Sequence, residues 1–523
     1  MTSDKVSLEL ARERVASLRA ALEARDGRPV RLIETHISWV LIGETLVYKL
    51  KKPVRLPFLD FSSLTARRHF CEEELRLNRR LAPSLYLDVV AVRDSPVGPR
   101  FGGHGRVLDA AVRMRRFPDG ALWSEMLGAG TLAPSHIDSL AQRLGEFHRA
   151  AAIAPATSRF GMPEVHRRNT DRLIQAIDAW PTRYADAGEG WSGLRRWLRE
   201  QLQALAPHWE ARRAAGRVRE CHGDLHLANV LQLDGEATAF DGIEFDDDLR
   251  WIDVLDDIAF LAVDLLAHRQ RGLAFRFINA CLDANGDHDG LPALRFYMVL
   301  RALVRAQVGV LTEAQGAQPD RRCGAADYLA FAIALARERD PRLAITHGLP
   351  GSGKTFVSQA VLEQGGAIRV RSDVERKRLF GLGALQSSRE HVPAGIYDAA
   401  ATERTYAHLC EAAGVALQAG WPVIVDAAFL RRTERAQFAQ LAASLGTPFA
   451  IFDCRAALPV LRQRVIERRR RGADASEADL GVLEHLIGAD EPMDRAELAA
   501  TIVCDTTQAL DAPALAEGWR VRA

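Results

Sequence analysis

The chain has 523 residues, of which 48% are apolar and 26% are charged, a balance typical of a globular protein with about two to four domains. The net charge of +1 provides no overall field that would attract nucleic acid or an anionic membrane. Seven scattered cysteines without a CxxC pair argue against a disulfide framework or a zinc ribbon and favour a reduced, cytoplasmic protein. The N-terminus is charged, and aspartates interrupt the most apolar stretch, so we expect neither a signal peptide nor a membrane span.

Strand-forming segments come first in the chain. Residues 31–53 predict short strands, residues 62–81 predict a helix, and "AAVRMRRFPDG" predicts a strand that runs into a linker. Most of the sequence from there to residue 338 is helical in pattern, except around "ANVLQL" and "ATAFDGIEF". We therefore expect a small sheet-plus-helix lobe, about 1–116, and a larger helical lobe, about 117–340.

The composition changes near residue 340, where Ala-rich helical sequence ends at charged residues and a proline. Beyond this point apolar strands alternate with helices: "LAITHG", "AIRVRSD", "WPVIVDA", "PFAIFDC" and "ATIVCD" are the strand segments. Such alternation predicts a parallel sheet wrapped by helices. We place a second domain at 341–523.

The segment "HGDLHLAN" predicts the catalytic loop of a phosphotransferase. Asp224 and Asn229 stand five residues apart, which is the spacing of the Asp and Asn in the kinase pattern H-R-D-x-x-x-x-N. Phosphoryl transfer needs a carboxylate for the acceptor hydroxyl and oxygen ligands for magnesium, so Asp224 is the candidate base and Asn229 a candidate metal ligand. Asp241, in "AFDGIEF" at the end of an apolar strand, is the second candidate metal ligand.

A lysine upstream completes this pattern. The strand "LVYKL" carries Lys49, the candidate cation for the ATP phosphates. Glu74, on the following helix, is its predicted ion-pair partner, chosen over Glu72 and Glu73 by helical phase.

Residues 30–335 resemble the aminoglycoside phosphotransferase and choline kinase group, a branch of the protein-kinase-like fold. The resemblance rests on "HGDLHLAN", "FDGIEF", the "VYK" strand and "LGEFHRA", with "MRRFP" where this group has its adenine-contacting hinge. It implies a bilobal, ATP-binding domain. The chain departs from protein kinases in having no G-x-G-x-x-G before Lys49, a feature that small-molecule kinases of this group often lack.

The segment "GLPGSGKT" satisfies the P-loop pattern G-x-x-x-x-G-K-[ST], follows a strand and opens a helix. Its glycines let backbone N–H groups approach the phosphates, Lys354 reaches the β- and γ-phosphates, and the Thr355 hydroxyl holds magnesium. The predicted nucleotide-binding residues are Gly348, Leu349, Pro350, Gly351, Ser352, Gly353, Lys354 and Thr355.

The residues around this P-loop favour a kinase over a motor. Asp426, in "WPVIVDAAF", is a candidate magnesium ligand, but Ala427 stands where a hydrolytic motor usually has a glutamate. Asp373 ends another strand, where a carboxylate faces the ligand crevice of an open α/β sheet and could accept the proton of an attacking hydroxyl. Arg464 and Arg468 lie one helical turn apart and could stabilise the charge that develops on a transferring phosphoryl group.

Residues 343 to about 506 resemble the P-loop kinases related to zeta toxins, chloramphenicol phosphotransferase and 5′-hydroxyl polynucleotide kinases. The resemblance implies that Asp373 is the general base and that Arg376 contacts substrate or phosphate. It also implies that Arg464 or Arg468 is a lid arginine. By the same resemblance, Arg431 and Arg435 in "DAAFLRRTER" are candidate substrate contacts.

The sequence thus predicts a two-domain protein of mixed α/β and α+β class, a kinase-like bilobal domain (1–340) followed by a P-loop NTPase domain (341–523). The arrangement resembles bacterial fusion proteins that join a phosphotransferase to an ATP-binding domain. The predicted cofactors are ATP and Mg²⁺, and the predicted reaction is in-line transfer of the γ-phosphoryl group to a hydroxyl-bearing acceptor at each site.

Two alternatives remain open from the sequence. One domain could be a nucleotide-binding regulatory module, a pseudokinase or an ATPase sensor, that controls the other. The P-loop half could also act on a nucleic-acid 5′-hydroxyl, although the net charge does not indicate it.

Overall fold

The computed structural model describes residues 2–56, 59–180, 188–314, 323–392, 395–472 and 474–522. It forms two compact units. Unit 1 comprises Met1–His136, Ala150–Val165 and Ala211–Asp257, and unit 2 comprises Ile137–Arg149, His166–Glu210 and Ile258–Ala523.

Short strands and long helices make up the chain as far as residue 340. In chain order they are α1 (Thr2–Asp26), β1 (Arg31–Glu34), β2 (Ser38–Ile42), β3 (Leu46–Lys51), β4 (Arg55–Leu56), β5 (Leu59–Asp60), α2 (Leu64–Asn78), β6 (Tyr86–Arg93), β7 (Arg100–Phe101), β8 (Val107–Arg115), α3 (Trp123–Ala129), α4 (Pro134–Ala150), α5 (Pro163–Asp178), α6 (Gly188–Ala204), α7 (Ala206–Ala214), β9 (Val218–Glu220), β10 (Val230–Leu233), β11 (Glu236–Ala239), α8 (Asp247–Arg250), β12 (Trp251–Asp253), α9 (Val254–Ala267), α10 (Arg271–Asn285), α11 (Leu291–Ala314) and α12 (Ala325–Arg337).

Strands and helices alternate from residue 343 onward. They are β13 (Leu343–His347), α13 (Lys354–Gly365), β14 (Ile368–Arg371), α14 (Ser372–Leu379), α15 (Ser388–His391), α16 (Ala399–Gln418), β15 (Val423–Asp426), α17 (Arg432–Ser444), β16 (Phe449–Arg455), α18 (Leu458–Arg471), α19 (Leu480–Ile487), α20 (Arg495–Ala499), β17 (Thr501–Asp505) and α21 (Ala512–Val521).

Unit 1 is built on an antiparallel sheet of order β1-β2-β3-β8-β6-β7. Alternate residues of β3 point to opposite faces. Tyr48 and Leu50 enter a core with Leu18 of α1, whereas Val47 enters a second core with Cys71 of α2. Lys49, between Tyr48 and Leu50 in sequence, therefore shares the α2 face of the sheet with Val47.

Unit 2 contains a parallel sheet of order β14-β15-β13-β16-β17. The central strand β13 and its neighbour β15 are buried along their whole length, as expected when helices cover both faces of a parallel sheet. Their carboxyl ends place Asp426 and the loop after His347 at the same edge, where open α/β sheets bind ligands.

The predicted fold class is confirmed, since a kinase-like fold precedes a P-loop domain with a parallel sheet. The sequence analysis missed β6, which pairs with β8 inside the sheet of unit 1. The domain boundary near residue 340 stays a prediction, because the compact units divide the chain differently and group α10–α12 with the P-loop sheet. Within the described residues, no helix is both long and apolar enough to cross a membrane.

We predict that Leu41→Ala destabilises unit 1 by about 2–5 kcal/mol, because Leu41 of β2 is fully buried between the sheet and α1 and its truncation leaves a cavity. The midpoint of urea unfolding measures the change. Leu10→Ala is the matched control, since Leu10 of α1 is 57% exposed and its truncation should cost less than about 0.5 kcal/mol. Equal shifts for the two variants would contradict this packing.

Candidate active sites

Lys49 lies at the centre of the candidate site in unit 1. Its Nζ stands 2.9 Å from Glu74 Oε1 and also contacts Asp241 Oδ1. The sheet face that Lys49 shares with α2 explains the first contact, because Glu74 is the fully buried glutamate of that helix. The other two glutamates pair with arginines of α2: Glu72 with Arg68, and Glu73 with Arg76.

A second lysine, Lys51, completes a buried charge cluster that the sequence analysis missed. Lys51 follows Lys49 by two residues and lies on the same face of the strand. Its Nζ forms ion pairs with the carboxylates of Glu74 and Glu244. Lys51, Glu74 and Glu244 are all at least 95% buried. Because buried charges are tolerated only when paired, this cluster fixes α2 and the segment after Asp241 against β3.

The cluster changes the pKa values of its members. Burial raises the pKa of Glu74, but Lys49 and Lys51 outweigh it and lower that pKa to about 2. Burial likewise lowers the pKa of Lys49, and the carboxylates of Asp241, Glu74 and Glu244 raise it well above its usual range. The stabilisation from ionised Glu74 is therefore fully present above its ordinary pKa of 4.5 and is lost as pH falls through about 2.

The loop "CHGDLHLAN" brings Asp224 and Asn229 into direct contact. Asn229 Nδ2 donates to the backbone oxygen of Asp224 at 2.9 Å and to its carboxylate Oδ2 at 3.0 Å, which leaves Asn229 Oδ1 as an oxygen for a metal. His226 Nδ1 accepts from the N–H of Ala228, and its Nε2 stands 3.4 Å from Asp224 Oδ2. The candidate base is thus held by two neighbours of the same loop.

Backbone contacts hold this loop in place. The N–H groups of His222 and Gly223 donate to the two carboxylate oxygens of Asp257, at 3.2 and 2.9 Å. Gly223 has a φ of +83°, and a Cβ there would stand 2.6 Å from the carbonyl oxygen of Leu249, so only glycine fits. Burial lowers the pKa of His222, whose Nε2 lies 2.8 Å from the oxygen of Phe240, consistent with a structural histidine.

Asp241 is presented on a constrained turn. Its φ is +62°, a region that non-glycine residues seldom adopt, and its N–H donates to the Tyr86 hydroxyl at 3.1 Å. The next N–H, that of Gly242, donates to Asn78 Oδ1 at 2.8 Å. One carboxylate oxygen and one amide oxygen, from Asp241 and Asn229, are donors that suit magnesium.

The P-loop of unit 2 connects β13 to α13. Gly348, Gly351 and Gly353 all have positive φ, and a Cβ on Gly351 would meet the carbonyl oxygen of Leu461 at 2.7 Å. Lys354 Nζ donates to the carbonyl oxygens of Gly348 and Leu349, at 2.8 and 3.0 Å. Burial lowers the pKa of Lys354, although the Asp426 carboxylate opposes this shift.

Oxygen donors for magnesium cluster beside this lysine. Asp426 ends β15 and is 95% buried, and its Oδ2 accepts from the Ser358 hydroxyl at 3.1 Å. Ser358 also donates to the backbone oxygen of Thr355, at 3.2 Å, which ties the first turn of α13 to the carboxylate. Thr355 and Asp426 line the same cleft, and a hydroxyl and a carboxylate are donors that fit Mg²⁺ together with phosphate oxygens.

A cleft of about 1400 Å³ opens over the P-loop and brings most of the predicted residues together. Asp373, near the start of α14, lines the cleft along with Lys354, Thr355 and Asp426. Arg376 also lines the cleft, but the residue as a whole is 93% buried. Its guanidinium donates to the Ile396 backbone oxygen and to the Thr402 hydroxyl. Arg376 thus supports the wall of the cleft as well as facing it.

Three further predicted arginines line the same cleft. Arg464 of α18 donates to the oxygen of Gly351 at 3.2 Å and to the Thr506 hydroxyl at 2.8 Å, which places it against the P-loop itself. Arg468 donates to the oxygen of Ala478 at 3.0 Å, and Arg431 is exposed at the opening of α17.

The prediction of a substrate contact at Arg435 is wrong. Its side chain is fully buried and does not line the cleft. It pairs with Glu497, at 2.8 Å, and donates to the backbone oxygens of Phe429, Leu430 and Glu491. Arg435 therefore joins α17 to the segment before α20, a structural role that the sequence pattern could not distinguish from substrate binding.

The structure adds cleft residues that the motifs did not reveal. Arg371, at the end of β14, is among the lining side chains and stands 4.0 Å from Asp426 Oδ2. Tyr397, Tyr406 and Glu434 also line the cleft. A signal for Arg371 was available, because it directly precedes the Ser-Asp pair at a predicted strand end.

Each half of the chain matches a known protein family. A family described as "Phosphotransferase enzyme family" matches residues 54–297, and one described as "AAA domain" matches residues 343–492. An uncharacterized protein of Mycobacterium tuberculosis is 30% identical over 452 residues, 85% of this chain and 87% of its own length. The chain belongs to the family of this mycobacterial protein. This chain combines a phosphotransferase domain with a P-loop kinase domain.

The solved structures that resemble parts of this chain include kinases. A choline/ethanolamine kinase family protein from Mesorhizobium loti is 14% identical, covers 62% of this chain and 95% of its own, and has a TM-score of 0.38. A gluconokinase from Sinorhizobium meliloti is 20% identical, covers 35% of this chain and 92% of its own, and has a TM-score of 0.24.

We predict that Lys51→Met destabilises unit 1 by about 3–5 kcal/mol, because it leaves Glu74 and Glu244 buried with one cation fewer. Urea unfolding at neutral pH measures the loss. Arg68→Met, which breaks an exposed ion pair with Glu72, is the control and should cost under about 1 kcal/mol. If Lys51→Met left the free energy of unfolding unchanged, the buried cluster would not be what holds the site together.

We also predict that Arg435→Met costs about 3–5 kcal/mol in stability, since it strands Glu497 and the backbone oxygens that the guanidinium binds. Thermal unfolding measures the change. The neighbouring Arg432→Met is the control, because Arg432 is exposed, and should stay within about 0.5 kcal/mol of the parent protein. A stable Arg435 variant with impaired substrate binding would instead restore the original assignment.

Proposed function

We propose that this protein is an ATP-dependent kinase with two sites, each of which transfers the γ-phosphoryl group of Mg-ATP to a hydroxyl of its acceptor. The observation that carries the proposal is the contact of Lys49 with both Glu74 and Asp241, combined with the hydrogen bond between Asp224 and Asn229. In protein kinases, the corresponding lysine–glutamate pair must be in place for activity.

In unit 1 the proposed roles follow from the chemistry of each group. Lys49 neutralises the nucleotide phosphates, and Asn229 and Asp241 supply oxygens for magnesium, which offsets the charge of the β- and γ-phosphates when bound. Asp224 accepts a hydrogen bond from the acceptor hydroxyl, orients it toward the γ-phosphorus and takes its proton. The hydroxyl oxygen forms the new P–O bond as the bond to the ADP oxygen breaks.

In unit 2 the P-loop backbone and Lys354 bind the phosphates, and Thr355 and Asp426 supply oxygens for magnesium. Asp373 is the proposed base for the acceptor hydroxyl, because it lines the same cleft as Lys354. Arg464 and Arg468 face that cleft from α18 and would stabilise the charge on the transferring group.

The lining of the cleft supports a small acceptor over a nucleic acid. Of the described side chains around it, seven are Lys or Arg and seven are Asp or Glu, so their formal charges cancel. A nucleic-acid groove would carry a clear excess of positive charge along the backbone path. The seven cysteines are free thiols, which suits a reducing compartment, and we propose the cytoplasm.

Labelled ATP tests the proposal on the full-length chain. Asp224→Ala and Asp373→Ala would each be incubated with γ-labelled ATP, magnesium and a panel of sugars, amino alcohols, nucleosides, aminoglycosides and 5′-hydroxyl oligonucleotides. Each substitution should lower transfer to one class of acceptor by about 10²–10⁴-fold and leave the other class unchanged, since a positioned base contributes that much. Asp234→Ala and Asp505→Ala, at exposed carboxylates of the same two units, are the controls.

Other outcomes discriminate between the alternatives. Release of free phosphate alone, or no change with either substitution, would rule out two kinase sites. If a site binds Mg-ATP without transferring phosphate, and its substitution changes the rate at the other site, then that site is the regulatory module.

A further inference from the structure

Helix α10 lies outside the segment that matches the P-loop family, yet within unit 2 it packs along the edge strand of the P-loop sheet. Asn279 Nδ2 donates to the oxygen of Ala367 at 2.8 Å, and Asn279 Oδ1 accepts from the N–H of Arg369 at 2.6 Å. One amide side chain thereby pairs backbone groups on the open side of β14, groups that an edge strand otherwise leaves unpaired. These two hydrogen bonds fix the position of α10 against the strand.

Asp283 follows Asn279 by one helical turn and so lies on the same face of α10. Its Oδ2 stands 3.6 Å from Arg369 Nη2 and 3.5 Å from Arg371 Nη1. The two arginines are two residues apart on β14 and therefore share a face. Arg378 of α14 donates to the backbone oxygen of Asp283 at 2.7 Å, which holds this end of the helix in place.

Both arginines also lie near Asp426, the proposed magnesium ligand, one directly and the other through Ser358. Arg371 Nε stands 4.0 Å from Asp426 Oδ2. Arg369 Nη1 is 3.4 Å from the Ser358 hydroxyl, which donates to the same Asp426 oxygen. Asp283 and Asp426 thus lie on either side of the same two arginines, and Asp474 is a third carboxylate, 3.6 Å from Arg371 Nη2.

Asp283 and Asp426 compete electrostatically for Arg369 and Arg371. Burial lowers the pKa of Arg369, and the adjacent cation of Arg371 lowers it further, so the two guanidinium groups need a nearby negative charge. Asp283 supplies that charge from one side, and Asp426 lies on the other. If Asp283 lost its charge, Arg371 would be left with Asp474, 3.6 Å from its Nη2, and with Asp426 at 4.0 Å. A cation that binds Asp426 would then have to compete with guanidinium groups that had lost one of their carboxylates.

We propose that Asp283 is a positioning residue for the P-loop site: it draws Arg369 and Arg371 toward α10, weakens their attraction to Asp426, and so keeps that carboxylate available for magnesium. The inference rests on the proposed function, because it assumes that the P-loop binds Mg-nucleotide. It assigns part of the metal affinity of the P-loop site to a helix that belongs to the segment matched by the phosphotransferase family.

The test is the affinity of the full-length protein for ADP, measured calorimetrically with excess Mg²⁺ and again with EDTA. The P-loop site is the binding event that Lys354→Ala removes. The ratio of the two dissociation constants is the magnesium enhancement, and Asp283→Asn should reduce it by about tenfold, the equivalent of one charge-assisted contact. Affinity for metal-free ADP should stay the same.

A control and a rescue separate positioning from structural support. Asp138→Asn weakens another carboxylate–arginine contact of α10, the 2.7 Å bond from Arg276, without touching Arg369 or Arg371, and should leave the enhancement unchanged. The double variant Asp283→Asn with Arg371→Gln should recover the enhancement, because the released competitor is removed. An equal loss of affinity with and without Mg²⁺, no change in the ratio, or failure of the rescue would each overturn the inference.

The same measurements report on the proposed function separately. If Lys354→Ala removes no binding event, the P-loop does not bind nucleotide and the proposed function of unit 2 fails. If Lys354→Ala removes one and Asp283→Asn leaves its enhancement intact, the proposed function stands and only the role of Asp283 is refuted.

Discussion

The ion pair between Lys49 and Glu74 joins β3 to α2, and the position of Lys49, the proposed cation for the ATP phosphates, depends on it. A lysine beside a buried glutamate cannot rotate away without leaving a charge unpaired in a poorly solvated environment. Lys51 strengthens this constraint, because it bridges Glu74 to Glu244, three residues beyond Asp241. The strand, the helix and the turn that carries Asp241 are therefore positioned by one set of charges.

The same physical rule acts in unit 2 with different residues. There the cations are arginines on β14, and the carboxylates are Asp283 from α10 and Asp426 from β15. Arginine suits this position, because its guanidinium keeps its charge when buried and offers donors in several directions. The difference between the sites lies in the proposed role of the cluster: in unit 1 it would present a cation to phosphate, and in unit 2 it would leave a carboxylate available for a metal.

The sequence could predict those parts of the sites that are local in the chain. The spacing of Asp224 and Asn229, the P-loop and the alternating pattern after residue 341 are set by short-range geometry. In unit 1, Asp224 and Asn229 are in direct contact, and in unit 2 the P-loop lines one cleft with Asp373 and Asp426. Helical phase was enough to select Glu74 from three adjacent glutamates, because just one of the three faces the sheet. The strand β6 was missed although its segment is rich in valine and is followed by an Asp-Ser-Pro turn signal, which the sequence analysis did not use.

Long-range charge pairing could not be predicted in this way. Lys51 sits in a Lys-Lys-Pro run that reads as the exposed end of a strand, and its partner Glu244 lies 193 residues away. Arg431 and Arg435 belong to one arginine-rich segment, yet one is exposed at the cleft and the other is fully buried against Glu497. No local pattern separates an arginine that binds substrate from one that closes a core, because the deciding carboxylate comes from elsewhere in the chain.

The packing of α10 on β14 bears on why these two segments occur in one chain. The outer edge of β14 is paired by Asn279, and its two arginines are neutralised by Asp283, both from a helix that precedes the P-loop domain in sequence. A P-loop domain cut at residue 341 would lose these partners, leaving backbone groups of an edge strand and a buried cation unsatisfied. Within unit 2, the P-loop sheet therefore depends for its stability on a helix of the phosphotransferase segment. This packing explains why unit 2 includes residues on both sides of the boundary between the two family matches.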